Sequence, residues 1–296
     1  MKIYDCFIYF DEDLLLEARL NILNKFIDKF IIVESKFSHR GEARKPTFNI
    51  KKFERFKNKI EYILLENNPK NLFKIKSGDK KINEKIIING NLREFHQRNS
   101  IILGLKEAKE EDLIIISDVD EIPNLENIEF EKVNENPYLF SQIFCCYKLN
   151  LFSKMKWHGS RMIKRKNLIS PQWLRDIKNK NYSKWRVDTY FSKKKFTNIN
   201  FIENGGWHFS YLKEPTGIEK KLKSIRHHIE YDHNPLGVEK IGEMVKNKQL
   251  IYNYKADQRS SNKFTNNEKL EILDFNQLPK FILDNKNLYS DWIEKN

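Results

Sequence analysis

Cysteine is scarce in this chain: of 296 residues, only Cys6, Cys145 and Cys146 are cysteine. Two of them are adjacent, a spacing at which a disulfide is strained, and none falls at a zinc-binding spacing. This excludes a disulfide-stapled secreted domain and a zinc module. All three lie in apolar stretches, which predicts buried free thiols and a reducing compartment. Long apolar runs are missing too. Nothing approaches the roughly 20 apolar residues that span a bilayer. Asp5, Asp11, Glu12 and Asp13 interrupt the apolar N-terminal stretch where a signal peptide would need its core. A cytoplasmic protein is expected, with at most peripheral contact with an anionic membrane. Repeats and linker-like stretches are also absent. The chain is therefore read as one catalytic domain, residues 1–236, with a helical C-terminal extension, residues 237–296, packed on it.

Hydrophobic residues make up 40% of the chain and aromatics 13%, the composition of a folded globular protein. The formal net charge is +13. Such a balance suits an anionic partner: a nucleotide diphosphate, a lipid-linked phosphate, a membrane surface or nucleic acid. Lysine is spread along the chain and no DNA- or RNA-binding motif is present, so nucleic acid ranks below the other partners.

Periodicity points to an α/β fold. Ile3 to Phe10 reads as a strand, and Asp11-Glu12-Asp13 opens a helix carrying Leu16, Leu20, Leu23 and Ile27 on one face. Phe30 to Val33 and Lys59 to Leu65 read as further strands, and this strand–helix–strand order is that of a parallel sheet. Residues 67–91 read as a polar surface excursion, 92–108 as a helix, and Leu113 to Ile116 as a buried strand. Tyr138 to Leu149 and Ser160 to Lys164 are further strand candidates. Phe201 to Ser210 is strand-like but interrupted at Gly205-Gly206. Thr216 with Glu219 forms a capping-box pattern ahead of Ile218, Leu222, Ile225 and Ile229 at helical spacing.

The strongest chemical signal is Ser117-Asp118-Val119-Asp120-Glu121-Ile122-Pro123, directly after the apolar strand. Open α/β sheets bind ligands beyond the carboxyl ends of their strands. Two carboxylates there can hold Mn²⁺ or Mg²⁺, which take hard oxygen ligands and bridge them to phosphates. The same residues also suit a solvated acidic turn. In Asn204-Gly205-Gly206-Trp207-His208, Trp207 offers a flat face to a sugar ring and His208 a third metal ligand. A core Trp with a hydrogen-bonded His would look the same. Arg98, on the helix before the acidic strand, can make bidentate contacts to phosphate. Glu34, at the end of the second strand, can accept hydrogen bonds from a base or ribose.

Taken in order, these segments resemble glycosyltransferase family 17. The resemblance runs from Asp5-Cys6-Phe7 and Asp11-Glu12 through Arg19-Leu20 and Ile32-Val33-Glu34-Ser35. It continues over Arg93-Glu94, Gln97-Arg98-Asn99 and Ser117 to Pro123, then Gly205 to Tyr211, and ends at Lys223-Ser224, His228 and Glu230. It implies a GT-A-type nucleotide-sugar-binding fold with a mixed, mostly parallel central sheet. It also implies a nucleotide-diphosphate-sugar donor (UDP-N-acetylglucosamine, UDP-GlcNAc, by default), a divalent metal, and inversion at the anomeric carbon. On the matching positions, Asp118 and Asp120 would serve nucleotide and metal, His208 metal or diphosphate, and Arg98 and Glu34 the donor pocket. The acceptor is expected to be a glycan or glycolipid hydroxyl.

An inverting transfer needs a base for that hydroxyl. Asp188, Glu121 and Glu230 are the candidates, with Asp188 favoured because it follows an aromatic region containing Trp173 and Trp185. Arg161 and Lys223 are candidates to assist the leaving phosphates, with ordinary surface cations as the alternative reading. Two readings compete with the transferase: a basic nucleic-acid-binding protein and an inactive sugar-binding module.

Overall fold

The computed structural model describes residues 1–225, 228–254, 263–264 and 268–295. The chain opens with β1 (Ile3–Tyr9), α1 (Asp13–Leu23), β2 (Lys29–Ser35) and β3 (Ile60–Leu65). The helix α2 (Ile82–Asn99) continues through a 3-10 turn into β4 (Leu113–Asp118) and the short β5 (Glu121–Pro123). A long hairpin follows, β6 (Tyr138–Cys146) and β7 (Leu151–Lys164), then the short helices α3 (Pro171–Asp176) and α4 (Val187–Tyr190). The strands β8 (Asn200–Ile202) and β9 (Gly206–Ser210) precede the helices α5 (Pro215–Ser224), α6 (His228–His233) and α7 (Gly237–Lys246). The chain closes with β10 (Glu271–Ile272) and α8 (Lys280–Asp284). Among the described residues, no helix is long and apolar enough to cross a membrane.

The fold is α/β around one mixed sheet in the order β3-β2-β1-β4-β7-β6-β9-β5, with β10 on β7 and β8 on β6. The four strands from β3 to β4 are parallel. Strands β1, β2 and β4 are largely apolar because both faces are covered, with the buried Asp5 as the exception in β1, while the edge strand β3 is only partly buried. Ile3, Phe7 and Tyr9 of β1, Phe30 and Ile32 of β2, and Leu113 and Ile115 of β4 face one core. The alternate residues Tyr4, Cys6, Ile31, Val33, Ile114 and Ile116 face the other. Strand β4 then meets β7 antiparallel, so the sheet changes character beside Asp118. All three cysteines are buried free thiols.

A buried ion pair fixes the turn after β4. Arg19 of α1 is fully buried and grips Asp5 of β1 with two hydrogen bonds, at 2.7 and 2.5 Å. Its remaining N–H groups donate to the carbonyls of Asp118, at 3.1 Å, and Glu121, at 2.6 Å. One guanidinium therefore satisfies backbone acceptors on both sides of the acidic turn, which would otherwise be buried without partners. Two glycines complete the frame. Gly206 has φ +115°, and a Cβ there would lie 2.2 Å from the Ile122 carbonyl. Gly159 lets Glu121 lie flat on β7, since its Cβ would fall 2.5 Å from the Glu121 carboxyl carbon.

Three local expectations are corrected. Helix α2 starts at Ile82, so the second half of the expected surface excursion, including Ile86 to Ile88, is helical. Its polar composition masked a helix whose buried residues include Asn89, Glu94, Gln97 and Arg98. The capping box is not formed. Helix α5 starts at Pro215 with Glu214 as its N-cap, and no side chain caps it. It also ends at Ser224, because Ile225 is extended (ψ 169°), so Ile229 belongs to a separate helix. Past the acidic turn, Pro123 completes β5, which pairs antiparallel with β9.

Candidate active site

A cavity of about 880 Å³ opens at the carboxyl ends of β1 and β4, within the size range of small-molecule sites. Its lining includes Glu12, Arg98, Asp118, Asp120, Glu121 and His208, so six residues from four separate sequence segments meet there.

Asp118 closes β4 and receives one guanidinium on each oxygen: Arg98 of α2 on Oδ1 at 2.9 Å, and Arg175 of α3 on Oδ2 at 3.1 Å. Each cation is itself anchored. Arg98 also pairs with Glu94, at 2.8 Å, and donates to Gln172, at 2.5 Å. Arg175 forks onto both Glu121 oxygens, at 2.7 and 2.9 Å. Glu121 in turn accepts from the Asp118 N–H, at 2.8 Å, and from the Trp157 indole N–H, at 2.9 Å. Asp120 faces the other side of the turn. Lys221 of α5 stands 3.1 Å from its Oδ2, and His208 Nε2 3.7 Å from its Oδ1. Burial pushes the Asp118 and Asp120 carboxyls up. Arg175 and Arg98 outweigh it at Asp118, and Lys221 and His208 at Asp120, so both are held well below the usual carboxylate range. Both are anionic at neutral pH.

An aromatic wall closes one side of the cavity. Trp157 packs tilted against His208, centroids 4.5 Å apart, and stacks on Phe144, at 5.5 Å, while Tyr254 meets Trp157 edge-on at 5.6 Å. His39, which also lines the cavity, is hydrogen-bonded to Gln97 at 3.0 Å, and burial lowers its pKa.

The fit of a divalent cation can be judged from the donors. Asp118 and Asp120 present hard oxygens, and the Asp118 side chain keeps 34% of its surface accessible. Among the described residues, no group of three or more His, Cys, Asp and Glu stands ready to hold an ion. Mg²⁺-type sites commonly use one or two carboxylates plus substrate phosphates, and this donor set suits that mode. His208 Nδ1 is buried and makes no hydrogen bond among the described residues.

Several sequence-predicted residues lie elsewhere, and the structure corrects them. Glu34 does not line the cavity. Its carboxylate is taken up by the Thr47 and Phe48 N–H groups, the Tyr62 hydroxyl and Arg44. Trp207 belongs to the core, its indole N–H donating to the Gln277 carbonyl at 2.7 Å. Lys223 points away from the cavity and pairs with Glu219, while Lys221, two residues earlier, reaches Asp120. Arg161 is buried under α3, donating to the Leu174 and Ile177 carbonyls, and burial lowers its pKa to about 9. Asp188 does not line the cavity and is clamped by Arg186 and Lys195. Trp173 is a core residue, and Trp185 is 94% exposed. Glu121 and Glu230 both line the cavity, and Glu230 pairs with Lys263 at 2.7 Å.

The sequence reading assigns no site role to Arg19, His39, Trp157, Arg175 or Lys221. Lys221 had a legible signal. It lies three residues after Ile218 and one before Leu222, on the flank of the buried stripe, whereas Lys223 falls outside it. Arg175 and Trp157 carried no such signal, because only the packing of α3 and β7 brings them to Glu121.

Residues 1–291 match the family model described as glycosyltransferase family 17. No curated protein matches the chain.

Proposed function

The chain belongs to glycosyltransferase family 17 and is a glycosyltransferase, and on that premise we propose that it moves a sugar from a nucleotide-diphosphate donor to a glycan hydroxyl with inversion. The observation that carries this reading is the pair Asp118 and Asp120, anionic at the carboxyl end of β4, with Arg98, Arg175 and Lys221 packed around them in one cavity. Three cations beside two carboxylates make a site suited to a diphosphate and its counter-ion. Asp118 and Asp120, with His208 beside them, would hold Mn²⁺ or Mg²⁺, which neutralises charge on a leaving diphosphate. Arg175 and Lys221 supply fixed positive charge to the same oxygens. UDP-GlcNAc is the donor suggested by the family resemblance, and the GT-A-type architecture is part of the same proposal.

Trp157 and Tyr254, both lining the cavity, give a sugar ring an apolar aromatic wall, the role expected of Trp207. In the transfer, the acceptor oxygen forms its bond to the anomeric carbon as the bond to the phosphate oxygen breaks. The electron pair leaves with the diphosphate, and the acceptor proton passes to a base. We assign that base to Glu230. It lines the cavity, and its ion-pair partner is Lys263 rather than a cation that also holds Asp118 or Asp120, whereas Glu121 is the counter-ion of Arg175.

A thermal-shift screen of nucleotide-sugars, with and without Mn²⁺, tests the reading on wild type and Asp120→Ala. A metal-dependent shift with one donor, lost in the variant, supports it and names the donor. The absence of a shift with any nucleotide-sugar would overturn it.

A further inference from the structure

The positive charge of this chain is not evenly spread. The segment 178–195 holds Lys178, Lys180, Lys184, Arg186, Lys193, Lys194 and Lys195 against a single acid, Asp188. That is nearly half of the formal +13 in 18 of 296 residues. The expectation of uniformly scattered lysine is corrected accordingly.

The same segment carries the most exposed large apolar side chains of the described chain. Trp185 is 94% exposed, Phe191 84% and Val187 69%. Isolated exposed apolar residues are ordinary. A Trp, a Phe and a Val at this level within seven residues, set among cations, are not. The arrangement is held together locally. Lys180, Arg186 and Lys195 gather around the Tyr182 ring, 5.0, 5.3 and 5.7 Å from its centroid. Arg186 and Lys195 also clamp Asp188, so the one acid is neutralised within the patch. The Lys178 N–H donates to the Lys194 carbonyl at 2.9 Å and closes the segment on itself, and the Trp173 indole N–H of α3 donates to the Lys193 carbonyl at 2.6 Å.

From this we infer that the surface around Trp185, Phe191 and the lysines of 178–195 docks onto an anionic lipid bilayer. Trp at the headgroup level is favoured because its ring has an apolar body and a polar edge. Clustered Lys and Arg are attracted to the negative surface of the membrane. Two weak signals, one apolar and one electrostatic, are what reversible peripheral binding requires. Nucleic acid would account for the cations. It gives less reason for a protruding Phe191 and Val187 on a surface with no nucleic-acid motif.

The patch also has a useful position. Lys194 pairs with Asp176 at 2.6 Å, and Asp176 lines the active-site cavity. Docking through this surface would bring the cavity mouth close to the headgroups, where a lipid-borne acceptor would be found.

The test uses the whole protein and needs no activity. Co-sedimentation is measured with vesicles of phosphatidylcholine alone and with phosphatidylglycerol added, at low and high salt. Salt-sensitive binding to the phosphatidylglycerol vesicles only is expected. Lys180→Gln/Lys184→Gln/Lys193→Gln should weaken it about 100-fold, at roughly tenfold or less per cation. Trp185→Ser/Phe191→Ser should weaken it without changing thermal stability, since both side chains are already in water. A blue shift of Trp emission on binding should disappear in Trp185→Ser. Equal binding to both vesicle types, or undiminished binding by both multiple variants, would overturn the inference. Binding to duplex DNA or RNA without binding to vesicles would overturn it as well and reassign the patch.

Discussion

Lys221 stands 3.1 Å from Asp120 inside the cavity, and each is the other's principal neutralising charge. Burial lowers the lysine pKa, and Asp120 and Glu12 overcome this and raise it. Breaking one side of such a pair leaves an uncompensated charge. Lys221→Met should therefore destabilise the fold by about 3 kcal/mol in urea unfolding and abolish donor binding. Adding Asp120→Asn should restore most of the stability and none of the binding. Recovery of donor binding in the double variant would show that neither charge serves the ligand.

The depressed carboxyls also set a pH dependence. Asp118 and Asp120 have folded pKa values below their unfolded values. Their stabilisation is fully present above the unfolded value of about 3.9, and it is lost as pH falls from there through the folded values. Donor binding should consequently be insensitive to these groups from neutral pH down to about 5. Thermal melts across acid pH should show a steep loss below about 4 in wild type. That loss should be shallower in Asp120→Asn, which has one less group to protonate.

Glu121 is a clamp on this reading, holding the Asp118 N–H, Trp157 and Arg175 at once. Glu121→Gln should cost about 3 kcal/mol of stability, because Arg175 loses the nearer of its two counter-ions. It should also raise the KM for donor as Arg175 loses its orientation. A variant with full stability, unchanged KM and a collapsed kcat would make Glu121 the base instead.

The sequence made the framework of this site legible and left its cations largely hidden. The parallel strands are readable because both faces of β1, β2 and β4 are buried, giving apolar runs interrupted in β1 only by the buried Asp5. Asp118 and Asp120 follow from that, since a strand end in an open sheet is a fixed address. Helix α2 was half missed because its buried residues Asn89, Glu94, Gln97 and Arg98 are polar and give no apolar stripe. Trp207 was read as a sugar platform because alternation along a strand gives two faces but not which one meets the ligand. On β9 the cavity face carries His208, and Trp207 turns into the core. Arg175 lies 54 residues from Glu121, and nothing local announces a contact made only by the fold.

The geometry also bears on the proposed choice of base. Asp188 was the sequence favourite, but it lies outside the cavity, and Arg186 and Lys195 hold its carboxyl well below the ordinary range. So depressed a carboxylate is a poor proton acceptor near neutral pH, because base strength falls with pKa. Asp188→Asn should accordingly leave kcat within about twofold of wild type, against the 100- to 10,000-fold that a general base typically contributes (roughly). Glu230→Gln should lower kcat by about 100-fold or more while leaving the KM for donor nearly unchanged, because the proposed donor contacts lie with Asp118, Arg175 and Lys221. The two variants, assayed side by side at saturating donor, separate the assignments. A slow Asp188→Asn with a normal Glu230→Gln would move the acceptor site out of the cavity and onto the exposed 178–195 surface.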